Sequence, residues 1–246
     1  MALREELKTQ GDFLFRYRSF LPLIILVVGL AVFAYFKLNP DAYCDFLYTE
    51  TYKYICLGVS LLGFFIRVFT IGYAAENTSG RNTHEGQIAD EINTTGIYSI
   101  VRHPLYLGNF FMWLGIAMLT ASFWFLVAFV LFYYSYYYLR ICFAEEAFLR
   151  TKFEDAYVKY SEKVPPFFPS FKNYKASNRS FNLRKVIRQE KNGIAAIFLL
   201  FWFFEMVGDF IVNKEFVFNM DFWFYAGIIA SVVYLILKVL KKRKLI

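Results

Sequence analysis

The sequence alternates long apolar blocks with short charged stretches, and this alternation excludes an ordinary soluble domain. A helix needs about 20 mostly apolar residues to cross the hydrocarbon core of a bilayer. Of all residues, 58% are hydrophobic, whereas soluble domains average roughly 45–50%. The pattern predicts a single all-α, polytopic membrane domain (1–246) of about six transmembrane helices. They are expected over residues 20–37, 52–73, 104–120, 122–140, 193–212 and 222–240.

The distribution of Lys and Arg predicts the orientation of these helices. Basic residues crowd the N-terminal tail, the stretch 140–191 and the C-terminal tail, while the loops after the first and fifth blocks carry few. Because Lys and Arg are retained on the cytoplasmic side, we expect both termini and residues 74–103 and 141–192 in the cytoplasm. The chain is therefore expected in the cell inner (cytoplasmic) membrane. Its net charge of +7 reflects this bias and contact with anionic lipid, so no nucleic-acid partner is expected.

Residues 141–192 form the longest stretch that is not expected to span. Residues 145–159 are predicted to continue the fourth helix or to form a short helix after it. Three prolines between 165 and 169 then interrupt the helical pattern. Residues 173–191 are interpreted as a basic amphipathic segment on the lipid head groups, and the tail from Lys241 is expected to contact anionic head groups.

The cysteines and histidines do not predict a metal site. Cys44, Cys56 and Cys142 lack the paired spacing of zinc ligands, and His84 and His103 are the only histidines. The first apolar block lacks the small-residue cleavage site of a secretory signal, so we interpret it as a retained helix.

A dense group of special residues precedes and begins the third predicted helix. It consists of Gly96, Tyr98, Arg102, His103, Pro104, Tyr106 and Gly108. Pro104 suits the first turn of a helix, where its missing N–H would have no intrahelical partner. Arg102 and His103 therefore lie beside free helix N–H groups, which stabilise anions. An interfacial Arg-His anchor in front of a helix would show the same residues.

A second group follows the fourth predicted helix. It consists of Glu145, Glu146, Tyr157, Tyr160, Pro165 and Pro169. Neighbouring residues point to different faces of a helix, so at most one or two of these carboxylates enter a shared pocket. A solvated helix start that balances Arg150 and Lys152 would look the same.

Together the two groups resemble a known family. Gly-x-Tyr-x-x-x-Arg-His-Pro-x-Tyr-x-Gly, followed by Glu-Glu and then Tyr-x-x-Tyr-x-x-x-x-Pro, is similar to the isoprenylcysteine carboxyl methyltransferase and phospholipid methyltransferase superfamily. The similarity covers residues 55–170, a methyltransferase-like core. Residues 78–83 and 93–96 look most like the bacterial branch of lipid A 1-phosphate methyltransferases. Residues 193–240 fall outside the core as an additional helical pair.

The resemblance implies an S-adenosylmethionine pocket at the cytoplasmic ends of the helices and a lipid substrate in the bilayer. It implies that the cofactor is bound by Tyr98, Arg102, His103, Pro104, Tyr106, Gly108, Glu145 and Glu146, with Tyr157 and Tyr160 closing the site. The expected reaction is O-methylation of an anionic head group, such as a lipid A or phospholipid phosphate. Such an oxygen is already ionised near neutral pH, so no strong general base is required.

Roles within the site follow from side-chain chemistry. Arg102 and Glu146 are the expected catalytic residues, with Arg102 holding the acceptor oxygen through a bidentate contact. Glu145 or Glu146 would hold cationic or hydroxyl parts of the cofactor. Arg81 is a second expected clamp for the anionic substrate. Arg67, near the cytoplasmic end of the second predicted helix, is explained by snorkelling or by substrate binding.

Several alternatives stay open. The acceptor could be the carboxyl group of an isoprenylated cysteine or a phospholipid amine. A related membrane reductase of the sterol reductase type would bind NADPH, but such proteins usually carry Asn in the place of Leu105. A non-catalytic lipid transporter would be expected to carry polar residues near the middle of several helices, and the spans here are mostly Phe, Leu, Ile and Val.

Overall fold

The computed structural model describes residues 3–18, 20–39, 47, 49–76, 78, 82–83, 86–87, 89–216, 219–243 and 245. Helices dominate this part of the chain. They are α1 (Leu3–Tyr17), α2 (Leu21–Leu38), α3 (Glu50–Tyr73), α4 (Pro104–Met118), α5 (Phe123–Leu131), α6 (Leu139–Ser161), α7 (Leu183–Asn213) and α8 (Phe222–Lys242). The β structure in the described residues is one antiparallel pair of two-residue strands, Asn82–Thr83 with Gly86–Gln87.

Among the residues that the structure describes, four helical stretches are long and apolar enough to cross a membrane: α3, the continuous stretch Phe123–Ser161, α7 and α8. Helices α1 and α2 meet the same criterion only as a pair bent by 74°, which gives up to five crossings. The prediction of an all-α, polytopic membrane protein is confirmed. The count of six spans and the cytoplasmic termini stay predictions.

Helix α4 is shorter than the span predicted over 104–120. Pro104 lies in its first turn, and its 15 residues reach about 22 Å at 1.5 Å per residue, against about 30 Å of hydrocarbon. The helix ends because the backbone turns at Ala121, whose φ is 55°. Ser122 then caps α5 by accepting a hydrogen bond from Phe125 N at 3.3 Å. A tight turn therefore joins α4 to α5, between the spans predicted over 104–120 and 122–140.

The helix that begins at Phe123 continues far beyond its predicted end at residue 140. A π-helical stretch, Phe132–Tyr138, joins α5 to α6 without interruption. Helix α6 then carries Glu145 and Glu146 and ends at Ser161, before the three prolines. The prediction that residues 145–159 are helical is confirmed, although the backbone departs from helical geometry at Glu154.

The prediction that residues 173–191 lie on the lipid head groups is wrong for the second half of that segment. Helix α7 begins at Leu183, ten residues before the predicted span (193 − 183 = 10), and Lys185, Glu190 and Lys191 are buried. Lys185 Nζ donates hydrogen bonds to Ala74 O and Ala75 O at 2.8 and 2.9 Å. The partners of Lys185 and Glu190 lie more than a hundred residues away in the sequence, so local amphipathicity could not reveal their burial.

Helices α3 and α4 pack against each other through glycines. A Cβ atom added to Gly63 would overlap Gly108 O, and one added to Gly108 would lie 2.5 Å from Arg67 Cγ. Two turns further along α4, a Cβ on Gly115 would overlap the carbonyl oxygen of Cys56 in α3. Small residues allow such close backbone approach between membrane helices. This contact fixes Arg67 beside the first turns of α4.

We expect Gly63→Ala to lower the free energy of unfolding by about 1–3 kcal/mol, because overpacking forces the two backbones apart. Gly58 on the same helix is the matched control, since a Cβ there meets nothing within 4 Å. Gly58→Ala should be neutral or should stabilise by up to about 1 kcal/mol through helix propensity. Thermal unfolding in detergent measures both. Equal unfolding temperatures for the two variants would contradict the close α3–α4 contact.

Candidate active site

The residues in front of α4 and the paired glutamates of α6 lie together. Glu146 Oε1 is 2.9 Å from Arg102 Nη1 and 3.0 Å from His103 Nε2. Glu145 Oε2 is 3.7 Å from His103 Nδ1. His103, which contacts both glutamates, is buried. Two segments some forty residues apart in sequence thus form one polar cluster.

Tyrosine hydroxyls and backbone hydrogen bonds hold this turn in place. Tyr138 donates to His103 O at 3.2 Å, and Tyr160 donates to Tyr98 O at 2.7 Å. Arg102 N donates to Pro165 O at 2.9 Å, which brings the proline-rich segment over the site. Gly96 takes a φ of 61°, a left-handed conformation that only glycine adopts without strain. The aromatic residues therefore position the Arg-His turn.

The two glutamates have different environments because they face different sides of α6. Glu146 is engaged by Arg102 and His103. Glu145 instead lines a cavity, and its Oε2 is buried with no hydrogen-bond partner among the described residues. Arg102 Nε is buried and unsatisfied in the same sense. A buried polar atom without a partner is costly, so both atoms mark places where a ligand group would be stabilised.

A cavity of about 400 Å³ opens beside this cluster. Of the residues expected to bind the cofactor, those lining it are Tyr98, Arg102, His103, Pro104, Tyr106 and Glu145. A side chamber of about 60 Å³ shares Tyr98, Arg102, His103 and Glu145 with it and is lined further by Tyr157, Tyr160, Phe148 and Leu149. Small-molecule sites commonly measure about 300–1,000 Å³, so the cavity is large enough for one.

Several aromatic side chains line the side chamber. Tyr157 is 1% exposed, and its hydroxyl has no hydrogen-bond partner in the described part of the chain. Its ring lies edge-on to Tyr160, with the ring centroids 6.1 Å apart. Burial, and then the neighbouring Glu145 carboxylate, raise the pKa of the Tyr98 phenol. Tyr98 therefore stays protonated and can donate a hydrogen bond into the cavity.

Arg67 reaches the cavity but is held by other side chains. Its Nη2 is 2.5 Å from Glu190 Oε1, its Nε donates to Glu190 Oε2 at 2.9 Å, and its Nη1 donates to Asn109 Oδ1 at 2.8 Å. Glu190 is 3% exposed. The sequence left two explanations for Arg67, snorkelling to the membrane surface or substrate binding. The structure shows in addition that Arg67 forms a bidentate ion pair with Glu190, which connects α3 to α7.

The remaining predicted residues lie elsewhere. Gly108 does not line the cavity and instead packs against α3. Glu146 does not line the cavity and lies against Arg102 and His103. Arg81, expected as an anion clamp, and His84 lie outside the described residues. In the part of the chain that the structure describes, no group of His, Cys, Asp and Glu is arranged to hold a metal ion.

The lining residues that sequence reasoning missed include Arg18, Asn109, Arg188, Glu190, Lys191 and Lys241. They come from four different segments, so their convergence has no local signature. One signal was present for Glu190. It stands as an acid in an otherwise basic stretch, and the arginine at position 67 within an apolar helix needs a partner.

Comparison with known proteins agrees with this geometry. Residues 53–156 match the family model described as phospholipid methyltransferase. Protein-S-isoprenylcysteine O-methyltransferase of Schizosaccharomyces pombe is 34% identical over 131 residues, which cover 53% of this chain and 54% of that protein. Residues 53–156 are thus similar to the phospholipid methyltransferase family, and the chain is related to isoprenylcysteine O-methyltransferases. The predicted resemblance is confirmed at this level, and the lipid A branch stays a prediction.

We call residues 53–156, which the family model matches, the superfamily segment. Two further relatives match this chain, one of them under a different name. Protein-S-isoprenylcysteine O-methyltransferase of Xenopus laevis is 28% identical over 150 residues, covering 61% of this chain and 51% of that protein. Nickel-cobalt-cadmium resistance protein NccN of Alcaligenes xylosoxydans xylosoxydans is 30% identical over 124 residues, covering 50% and 54%. The chain spans about half the length of the curated relatives it matches. No solved structure was found to match it.

The superfamily segment supplies only part of the cavity. It provides the Arg-His turn, Arg67 and Glu145, whereas Arg18, Arg188, Lys191 and Lys241 lie outside it. These four basic residues come from the α1–α2 bend and from the facing ends of α7 and α8. One part of the cavity wall therefore lies within residues 53–156, and a second part, which we call the cationic wall, is built by other parts of this chain.

Proposed function

We propose that the protein is an integral membrane methyltransferase that uses S-adenosylmethionine to methylate an oxygen of an anionic lipid head group. The observation that carries the proposal is the unsatisfied Glu145 carboxylate beside Arg102 and His103 in a cavity of the superfamily segment. Lipid A and phospholipid phosphates are the acceptors we favour. In line with the distribution of Lys and Arg, we place the cavity on the cytoplasmic side of the inner membrane.

The cavity residues fit S-adenosylmethionine by their chemistry. This cofactor carries an ammonium group, ribose hydroxyls, a carboxylate, a sulfonium and a flat adenine. Glu145 offers an acceptor for the ammonium or hydroxyl groups, and Arg102 Nε offers a donor for an anionic oxygen. The aromatic rings of Tyr98, Tyr157 and Tyr160 suit the adenine and the sulfonium. A buried carboxylate oxygen that has no hydrogen-bond partner among the described residues is the feature that best matches a cationic ligand.

The protein's part in the reaction is orientation rather than acid–base chemistry. When bound, the cofactor supplies an electrophilic methyl group, and the acceptor oxygen forms its bond to that carbon as the carbon–sulfur bond breaks. Arg102 would hold the acceptor oxygen, because its guanidinium is fixed by Glu146 and still lines the cavity. Glu146 and His103 act as positioning residues. Orientation of this kind contributes up to about 7–11 kcal/mol to catalysis.

A carboxyl acceptor on an isoprenylated cysteine is the second candidate. The named activity of two relatives favours it. The chemistry at the oxygen is the same, because a carboxylate is also ionised near neutral pH and is also matched by an arginine. The two candidates therefore differ in the molecule that carries the acceptor oxygen, a lipid head group or an isoprenylated cysteine. The cationic wall and the bilayer-facing surface would determine which of the two binds.

The proposal is tested with purified protein, methyl-labelled S-adenosylmethionine and total membrane lipids. We expect label in a phosphate-bearing phospholipid or glycolipid fraction, with a mass increase of one methylene group. Arg102→Ala should remain folded and transfer no label, whereas Arg150→Ala, which changes an exposed arginine of α6, should transfer normally. Label found only on an isoprenylated peptide would select the second candidate. Binding of NADPH in place of S-adenosylmethionine would overturn both.

A further inference from the structure

An apolar groove of about 400 Å³ runs between α7 and α8. Ile194 and Phe198 line it from α7, and Ala226, Ala230 and Val233 line it from α8. The small side chains at positions 226 and 230, one helical turn apart, leave the space that forms the groove. Both helices lie outside the superfamily segment. The width of the groove is therefore a property of this helical pair.

The groove leads to the candidate active site. Lys191 lines both the groove and the polar cavity, so the two spaces meet at this residue. Lys191 is buried, its Nζ donates to Arg188 O at 3.3 Å, and its ammonium group lies next to that of Lys241. Lys241 of α8 lines the cavity on the same side. An apolar tail in the groove would thus place its polar end among cations.

This junction carries an excess of positive charge. Six cationic side chains and two carboxylates line the cavity, and Glu190 is already neutralised by Arg67. Across the described residues, Arg188, Lys191 and Lys241 form no ion pair with a carboxylate. Arg188 Nε is buried and has no hydrogen-bond partner among the described residues. Such an arrangement is complementary to an anionic group.

We propose that the α7–α8 groove holds an acyl chain of an anionic lipid whose head group binds at Arg188, Lys191 and Lys241. Charge complementarity at the junction and continuity with the cavity select this occupant over a neutral lipid. The inference rests on the proposed function only in making this lipid the methyl acceptor. A head group held there lies in the same cavity as Arg102, and the chain remains in the bilayer.

Native mass spectrometry of the full chain in detergent tests the proposal with two probes, dioleoylphosphatidylglycerol and dioleoylphosphatidylcholine. They share acyl chains and differ in head-group charge. We expect the anionic lipid to be retained about 10-fold more tightly. Lys191→Gln with Lys241→Gln should remove this preference and leave the affinity for phosphatidylcholine unchanged. Ala230→Phe, which fills the groove, should weaken both lipids about 10-fold, in keeping with the loss of buried chain area.

The matched control is Val232→Phe, which adds the same ring to an exposed position of α8 outside the groove and should bind both lipids normally. Thermal unfolding shows that each variant is folded. Unchanged lipid binding in Ala230→Phe, equal retention of the two lipids by the wild type, or a second copy of the chain in place of lipid would each overturn the proposal. Binding of S-adenosylmethionine without lipid selectivity defeats this inference alone; lipid selectivity without cofactor binding defeats the proposed function alone.

Discussion

Purified Glu145→Gln protein is expected to bind S-adenosylmethionine about 10- to 100-fold more weakly than the wild type. The substitution keeps the size of the side chain and removes its charge. In the native cavity, Glu145 Oε2 has no hydrogen-bond partner among the described residues, so its charge is available to a ligand. Hydrogen bonds to charged groups contribute about 1.5–3 kcal/mol each. Equilibrium binding of labelled cofactor in detergent measures the change.

Asp155→Asn is the matched control, because Asp155 lies exposed on the same helix and lines neither chamber. It should bind the cofactor like the wild type. Glu146→Gln is the informative comparison, since Glu146 holds Arg102 and His103 instead of facing the cavity. We expect it to reduce the rate of transfer more than the affinity for cofactor. The assignment of Glu145 is wrong if Glu146→Gln alone weakens binding.

The sequence predicted an all-α membrane protein, because this class of fold depends on strong local patterns. Apolar block length determines which residues can span a bilayer, and Pro104 marks the start of α4 in the sequence itself. The convergence of the Arg-His turn with Glu145 and Glu146 came from the resemblance rather than from spacing. The different environments of Glu145 and Glu146 could be seen only in the structure. The sequence shows that adjacent residues occupy different faces of a helix, but not which face borders the cavity.

The cationic wall could not be predicted, because its residues are brought together only by packing. The stretch 183–191 has the charge pattern of a surface helix. Burial of Lys185 depends on carbonyl oxygens freed at the end of α3, and burial of Glu190 depends on Arg67. The local sequence shows that such a residue is charged. It does not show the distant partner whose interaction offsets the cost of burying that charge. Buried ionic contacts between distant segments are therefore where sequence reasoning was least informative.

Arg67→Met is expected to lower the free energy of unfolding by up to about 3–5 kcal/mol, the usual cost of breaking a buried ion pair. It would leave Glu190, whose side chain is 3% exposed, as an unpaired carboxylate. Glu190→Leu should cost less, because Arg67 keeps 20% exposure and a hydrogen bond to Asn109. Denaturation in detergent, followed by fluorescence, measures both. If both variants unfold at the temperature of the wild type, the Arg67–Glu190 ion pair does not stabilise the packing of α7 against α3.

The double variant, Arg67→Met with Glu190→Leu, separates the roles of Arg67. Replacing both members of a buried pair by apolar side chains is often neutral or stabilising, so we expect it to recover most of the stability lost in Arg67→Met. A double variant as unstable as the single one would mean that the cost arises from packing rather than from an unpaired charge. With stability restored, the lipid KM becomes informative. If it is unchanged, the pair only joins α7 to the superfamily segment. If it is raised, the pair also takes part in binding the acceptor, and because Glu190 lines the cavity as well, the KM of Glu190→Leu alone decides between the two: a normal KM there assigns the effect to Arg67.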